Sequence, residues 1–272
     1  MAYELIAFDM DGTLLDSKKK VLQSSVDAID EALAAGKHVA IASGRCPRMV
    51  FMYHDVIPHV RHAICSAGAS IVDLQEHKIL NEVLIPHSAI EKVLTASRDM
   101  DKLVETTCGE NFYMPVEETE HAERYHVGVY KPLYQNVGIA VEDIEAFTLD
   151  PKNRIPKVNI HYTCTEDRDR AAASLAGENV NVVLCERASI EITHKSVTKG
   201  TGLLALADAL GVAREATIAV GDADNDLPML RDAGLGVAMG NANQNAREAA
   251  DATVADNDHD GCAEAIHRFL LA

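Results

Sequence analysis

Leu5-Ile6-Ala7-Phe8-Asp9-Met10-Asp11-Gly12-Thr13-Leu14 is the stretch that decides how this chain is read. Its first four residues are apolar without alternation, the pattern of a strand buried on both faces. Asp9 and Asp11 follow directly, two carboxylates two residues apart. Gly12 then frees the backbone to turn away. In an open α/β sheet, ligands bind outside the carboxyl ends of the strands. The stretch therefore predicts two acids where such a fold does chemistry. The same letters also describe a strand ending in an ordinary Asp-Gly turn, and the rest of the chain must choose between the two.

Working outward, Val39-Ala40-Ile41-Ala42 is a second apolar run, ending in Ser43-Gly44-Arg45. Ala63-Ile64-Cys65 is a third, ending in Ser66-Ala67-Gly68-Ala69. Ser24 or Ser25 is expected to cap a helix carrying Val26, Ile29 and Leu33, with Gly36 closing it. A second helix is expected over roughly 47–53. Strand–helix–strand–helix–strand rhythm predicts parallel pairing with right-handed crossovers. The rhythm returns near Thr198. Leu203, Leu204, Ala207 and Leu210 share a helix face, Thr217-Ile218-Ala219-Val220 is a buried strand, and Gly221-Asp222-Ala223-Asp224-Asn225-Asp226 follows it. Strands at 236–239 and 253–254 and a closing helix with Cys262, Ile266 and Phe269 complete the pattern.

From about Leu84 the pattern differs. Short strands are expected at 103–107, 111–114, 180–184 and 190–192, with a helix around Ile90–Ser97 and another, capped by Thr165, running through Ala176. Val158, Ile160 and Tyr162 alternate with Asn159 and His161, as in a half-buried antiparallel strand. The stretch 115–126 is polar and weakly patterned. We expect a doubly wound, Rossmann-like parallel-sheet core from residues 1–83 and 191–272, with an α+β domain of residues 84–190 inserted into it.

Composition narrows the function classes. A chain of 272 residues with 47% hydrophobic content can build a sizeable core. It has no apolar run near the ~20 residues of a membrane span and no visible signal peptide. Six scattered cysteines without a Cys-x-x-Cys pair read as reduced thiols, and a cytoplasmic location is expected. A net charge of −17 argues against nucleic acid or anionic membrane as a partner. An anionic substrate would then need a metal ion, a lysine or backbone N–H groups.

Polar groups stand at four strand ends or helix starts: Asp9 and Asp11, Ser43, Lys199, and Asp222 with Asn225 and Asp226. A nucleophile, an acid/base, a metal site and a cationic clamp are the parts of phosphoryl transfer. Their order and spelling resemble the haloacid-dehalogenase superfamily of phosphohydrolases. Asp9-Met10-Asp11-Gly12-Thr13 matches its first motif and Ser43 in Ile41-Ala42-Ser43-Gly44-Arg45 its second. Lys199 in Thr198-Lys199-Gly200 matches the third, and Gly221-Asp222-Ala223-Asp224-Asn225-Asp226 the fourth. The fourth motif, followed by Gly236-Val237-Ala238-Met239-Gly240-Asn241-Ala242, resembles the Cof-type branch, which carries an α+β cap between its second and third motifs.

The resemblance implies that Asp9 is the nucleophile forming an aspartyl-phosphate. It implies that Asp11 is the acid that protonates the leaving alcohol and then takes a proton from water. Mg²⁺ would be held by Asp9, the backbone carbonyl of Asp11, and Asp222. Met10 and Gly44 N–H groups, Ser43, Lys199 and Asn225 would hold phosphoryl oxygens, and Asp226 would orient Lys199 or support the metal site. The expected activity is a Mg²⁺-dependent phosphatase on a small phosphorylated metabolite, with phosphosugars as the substrate class. A phosphomutase on the same site and a non-catalytic phosphosugar-binding or regulatory protein are the alternatives. One departure concerns substrate preference: the family commonly has Asn-Gly-Ala where this chain has Ala67-Gly68-Ala69. Arg45 and His161 are weaker candidates for the substrate cavity. His54, His59, His62, His121 and His126 lack convincing ligand spacing and read as solvated or packing residues.

Overall fold

A strand that buries both faces needs apolar residues at every position, and the first strand has them. In the computed structural model, which describes residues 2–115 and 120–272, Leu5 to Phe8 are fully buried. Ile6 and Phe8 pack on one side of the sheet and Leu5 and Ala7 on the other. The strands along the chain are β1 (Leu5–Phe8), β2 (His38–Ala42), β3 (His62–Cys65), β4 (Ser70–Asp73) and β5 (Lys78–Glu82). They continue with β6 (Lys102–Cys108), β7 (Asn111–Pro115), β8 (Ile139–Val141), β9 (Lys157–Tyr162), β10 (Val180–Cys185) and β11 (Ser189–His194). The last are β12 (Thr217–Gly221), β13 (Leu235–Ala238) and β14 (Ala252–Thr253).

Two sheets result. The first has the order β14-β13-β12-β1-β2-β3-β4-β5. Strand β1 pairs in parallel with both β2 and β12, and parallel pairing extends outward to β3, β13 and β14. This is the expected doubly wound parallel core. One apolar layer joins one sheet face to helix Gln23–Ala34 and the C-terminal helical segment. The other holds helices Lys199–Leu210 and Leu227–Asp232 against the opposite face. The second sheet, β10-β11-β9-β6-β7-β8, is antiparallel apart from the β7–β8 pair. Its apolar face packs with helices His87–Ala96, Ile144–Leu149 and Thr165–Ser174.

The chain divides into two compact units. One comprises 1–45, 50–81 and 198–272, and the other 46–49 and 82–197. The second unit is therefore longer at both ends than the 84–190 read from the sequence, and it includes a four-residue piece from beyond β2. Residues 116–119 of the weakly patterned stretch lie outside the described residues.

Local expectations differ from the structure at several places. Neither Ser24 nor Ser25 caps the first helix. Leu22 occupies that position with no side-chain cap, Ser24 donates its hydroxyl to Asp260, and Ser25 is buried. Thr165 is the first helical residue rather than a cap. The core sheet also extends beyond β3 through β4, which returns antiparallel to it, and β5. Strand β4 has only two apolar residues, Ile71 and Val72, between Ser70 and Asp73. The turn before β5 places His77 at φ 49° instead of using a glycine, so no Asn-Gly signal marks it.

Candidate active site

The parallel strands deliver their C-terminal loops to one edge of the core sheet, and the acids follow from that. Asp9 leaves β1 with its N–H donating to Val220 O of the neighbouring β12, at 2.9 Å. The next turn closes through Leu14 N–H on Asp9 O and Leu15 N–H on Met10 O. Gly12 has φ +90°, a conformation open to glycine at little cost.

Lys199 begins helix Lys199–Leu210, whose cap is Thr198. The Thr198 and Thr201 side chains bond reciprocally to the backbone of the first turn. This start fixes the lysine stem, and the side chain is buried. Its Nζ donates to Asp9 Oδ1 at 2.5 Å and to Asp226 Oδ1 at 2.6 Å. Asp226 Oδ2 accepts the N–H groups of Asp222 (2.9 Å) and Ala223 (3.1 Å). Both Asp226 oxygens are thus committed, so this residue braces Lys199 and the Asp222 turn together. Asp222 Oδ1 accepts the Thr13 hydroxyl at 2.9 Å, and its carbonyl accepts Asn243 N–H. Oxygens of Asp9, Asp222 and Asp226 lie within 4.8 Å of one another.

The electrostatics follow from crowding acids in a dry place. Burial pushes the Asp9 carboxyl above its ordinary range; Lys199 opposes this, while Asp226 and Asp222 reinforce it. Asp222 is raised to about 6 by burial and by repulsion from Asp226, against the Thr13 bond. Lys199 stays a cation, because Asp226 and Asp9 outweigh the cost of burying it. Carboxylate oxygens in this number, short of positive charge, suit a hard divalent cation. Asp9 Oδ2 and Asp222 Oδ2 accept none of the hydrogen bonds seen among the described residues.

The Asp11 side chain lies outside that cluster. Arg45 grips it with two parallel bonds, Nε to Oδ2 and Nη2 to Oδ1, both 2.8 Å, and Lys19 Nζ reaches Oδ1 at 2.8 Å. Burial would raise Asp11, but the Arg45 and Lys19 contacts outweigh it and hold it down to about 2. Arg45 in turn lies over the Tyr53 ring, 5.4 Å from its centroid. Ser43 is buried at the end of β2, its Oγ accepting Arg45 N–H at 3.2 Å. Met10 is buried, Gly44 is partly buried, and Asn225 is exposed on the turn 224–226. His161 belongs to the second unit, where its Nδ1 meets Ser189 Oγ at 2.7 Å and its Nε2 lies 3.9 Å from Glu105.

Sequence reasoning missed Thr13 as a partner of Asp222, and Lys19 as a partner of Asp11. It placed Arg45 near substrate but not on Asp11. Thr13 sits inside the quoted motif and could have been found by asking what satisfies a carboxylate beside Gly12. Lys19 gives no such signal, since the Lys18-Lys19-Lys20 run looks like a solvated loop.

Comparison with known proteins decides the family. A model of the haloacid dehalogenase-like hydrolases matches residues 6–266. The chain belongs to the haloacid dehalogenase-like hydrolases. It is 29% identical over 276 residues to the putative phosphatase YxeH of Bacillus subtilis, covering 99% of both chains. It is 27% identical over 288 residues to the pyridoxal phosphate phosphatase YbhA of Escherichia coli, covering all of both. A solved haloacid dehalogenase-like hydrolase from B. subtilis superposes with a TM-score of 0.87 at 26% identity, over 98% of this chain and 100% of that one. With whole-length relatives of this kind, the chain is a phosphatase of the Cof-type branch. Among the described residues no helix is long and apolar enough to cross a membrane.

Proposed function

We propose that this haloacid dehalogenase-like phosphatase hydrolyses small phosphate monoesters, phosphosugars among them, through an aspartyl-phosphate on Asp9, with Mg²⁺ as cofactor and in the cytoplasm. The observation that carries the reading is the pairing of Asp9 with Lys199 inside a carboxylate cluster at the sheet edge.

Asp9 is the nucleophile. Lys199 fixes its Oδ1, which leaves Oδ2 to attack the phosphorus in line with the ester oxygen. Asp9 gains the phosphoryl group as the ester P–O bond breaks. Asp11 gives the departing alkoxide a proton, then removes one from the water that attacks the aspartyl-phosphate. For the first task Arg45 and Lys19 must loosen their hold, since both Asp11 oxygens are occupied in the resting arrangement. Lys199, Ser43, Asn225 and the Met10 and Gly44 N–H groups hold the equatorial oxygens, where charge develops. Asp9, Asp222 and the Asp11 carbonyl would hold Mg²⁺, which when bound offsets the charge of the phosphoryl group and the acids. Substrate choice is assigned to residues of the second unit and to the loop at Ala67.

The test is phosphate release from p-nitrophenyl phosphate and a panel of phosphorylated metabolites, with Mg²⁺ and with chelator. Turnover in Mg²⁺, none in chelator, and none from Asp9→Asn is the expected result. Full activity of Asp9→Asn, with deamidation excluded by mass spectrometry, sinks the mechanism.

A further inference from the structure

Asp11 has one negative charge and two cations. Arg45 already donates to both of its oxygens, so the carboxylate is neutralised and oriented before Lys19 is counted. Lys19 is surplus to that pair, yet its Nζ sits 2.8 Å from Oδ1. The loop that presents it is closely built. Asp16 Oδ1 accepts both Lys18 N–H and Lys20 N–H, Asp16 O accepts Lys19 N–H, and Asp16 N–H donates back to Lys20 O. Ser17 N–H ties the loop to Asp258. Within it Lys19 adopts φ +60°, a left-handed conformation that glycine or asparagine takes at lower cost. A lysine held in a sparsely populated conformation at a functional site points to a role for its side chain. That side chain is exposed, unlike Arg45, whose side chain is mostly buried and bonds to Tyr53.

We propose that Lys19 is a specificity-determining residue that pairs with a second anionic group, carboxylate or phosphate, on the alcohol part of the substrate. The inference rests on the phosphatase reading with Asp11 as the acid. Because Asp11 serves the leaving oxygen, a cation bonded to Asp11 stands beside the leaving group rather than the transferred phosphoryl group. The phosphoryl group has its own buried cation in Lys199. Lys19 is the exposed and exchangeable member of the Asp11 pair. An alcohol bearing a negative charge would take it over as the hold on Asp11 loosens. The preferred substrates are then phosphate esters of anionic alcohols, such as sugar acids and sugar bisphosphates, over those of neutral polyols.

The experiment compares kcat/KM for sorbitol 6-phosphate, 6-phosphogluconate, fructose 1,6-bisphosphate and p-nitrophenyl phosphate in wild type, Lys19→Met and Lys19→Arg. Wild type is expected to favour the two anionic alcohols. Lys19→Met should lower kcat/KM on those two relative to the sorbitol and nitrophenyl esters by about 3- to 10-fold, the range for an exposed charge-assisted contact. Removing the second donor from Asp11 acts on all four esters alike, so the ratio of anionic to neutral esters is the readout, and Lys19→Arg should keep it. Loss on 6-phosphogluconate alone, or on the bisphosphate alone, assigns the site to a carboxylate or to a second phosphate. Hydrolysis of p-nitrophenyl phosphate without a wild-type preference for anionic alcohols overturns the inference and leaves the phosphatase reading intact. So does a Lys19→Met protein that scales all four substrates by one factor. A wild type that hydrolyses none of them, with Mg²⁺ present, overturns both.

Discussion

Gly12 and Asp222 are separated by less than a side chain: a Cβ built on Gly12 would lie 2.5 Å from Asp222 Oδ2 and 2.9 Å from its Cγ. The close approach lets the β1 loop and the β12 loop place Asp9 and Asp222 in one cluster. Gly12 also has φ +90°, where any Cβ is strained. Gly12→Ala is therefore expected to displace Asp222, break the Thr13 bond and lower kcat/KM by about 100-fold or more, since misplacing a reacting group by ~1 Å has that effect. It should also cost about 1–3 kcal/mol of stability. A Gly12→Ala enzyme with wild-type kinetics would show that this contact does not position the site.

Lys199 stands between two buried carboxylates, and its removal leaves both without a counter-charge. Breaking a buried pair from one side costs about 3–5 kcal/mol. Lys199→Met should therefore lower the melting temperature as well as abolish turnover. Adding Asp226→Asn removes one of the stranded charges, so the double variant should be less destabilised than the sum of the two single changes. Strict additivity in denaturant titrations would mean that the two side chains act independently.

How much of this was legible in the sequence depends on what kind of pattern each feature leaves. Strands such as Leu5–Phe8 and Thr217–Gly221 could be read because burial on both faces demands unbroken apolar runs, and the acids after them because loops at that sheet edge carry function. The pair β4–β5 was missed because Ser70 and Asp73 are buried polar residues: Asp73 is satisfied by Arg61 and by the Gln75 and Glu76 N–H groups, none of which leaves a periodic signal. In the site, Asp9, Lys199, Asp222 and Asp226 come together at the sheet edge where their places at strand ends and a helix start put them. The Arg45–Asp11–Lys19 arrangement was not legible, because it depends on side-chain direction across separations of 8 and 34 residues.

The raised carboxyls make metal binding a pH-dependent event. Asp222, near 6, and Asp9, also raised, retain protons in the metal-free site that a cation must displace. Apparent Mg²⁺ affinity should therefore tighten as pH rises through about 6, with proton release, and level off once both acids are ionised. The sign is opposite for the metal-free fold. Its native state binds protons more tightly than the unfolded chain, so these two groups make stability fall as pH rises above the ordinary carboxylate range. Calorimetric titration between about pH 5 and pH 8, in buffers of different ionisation heat, measures both affinity and protons released. A flat affinity with no proton release would contradict the assignment of these acids to the metal.

Ala67 gives the family departure a conformational meaning. It lies at φ 58°, ψ 24°, directly after Ser66 at φ 53°, so two consecutive non-glycine residues are left-handed between β3 and β4. The backbone is held there: Ala67 N–H donates to Ser43 O and Ser66 N–H to Arg45 O, tying this loop to the β2 loop that carries Ser43. Asparagine is several-fold enriched in the left-handed region and alanine is not, because a short polar side chain can hydrogen-bond locally there. The asparagine common at this position in the family therefore relieves backbone strain, whatever else it touches. Ala67→Asn should stabilise the protein by about 0.5–1 kcal/mol, visible as a rise of a few degrees or less in melting temperature. Activity on p-nitrophenyl phosphate should hold, because Ser43 keeps its anchor. Substrate rankings across a phosphosugar panel then separate the two roles. A stabilised variant with unchanged rankings assigns the position to backbone conformation, whereas a lower melting temperature would show that the left-handed geometry is not the reason for the family preference.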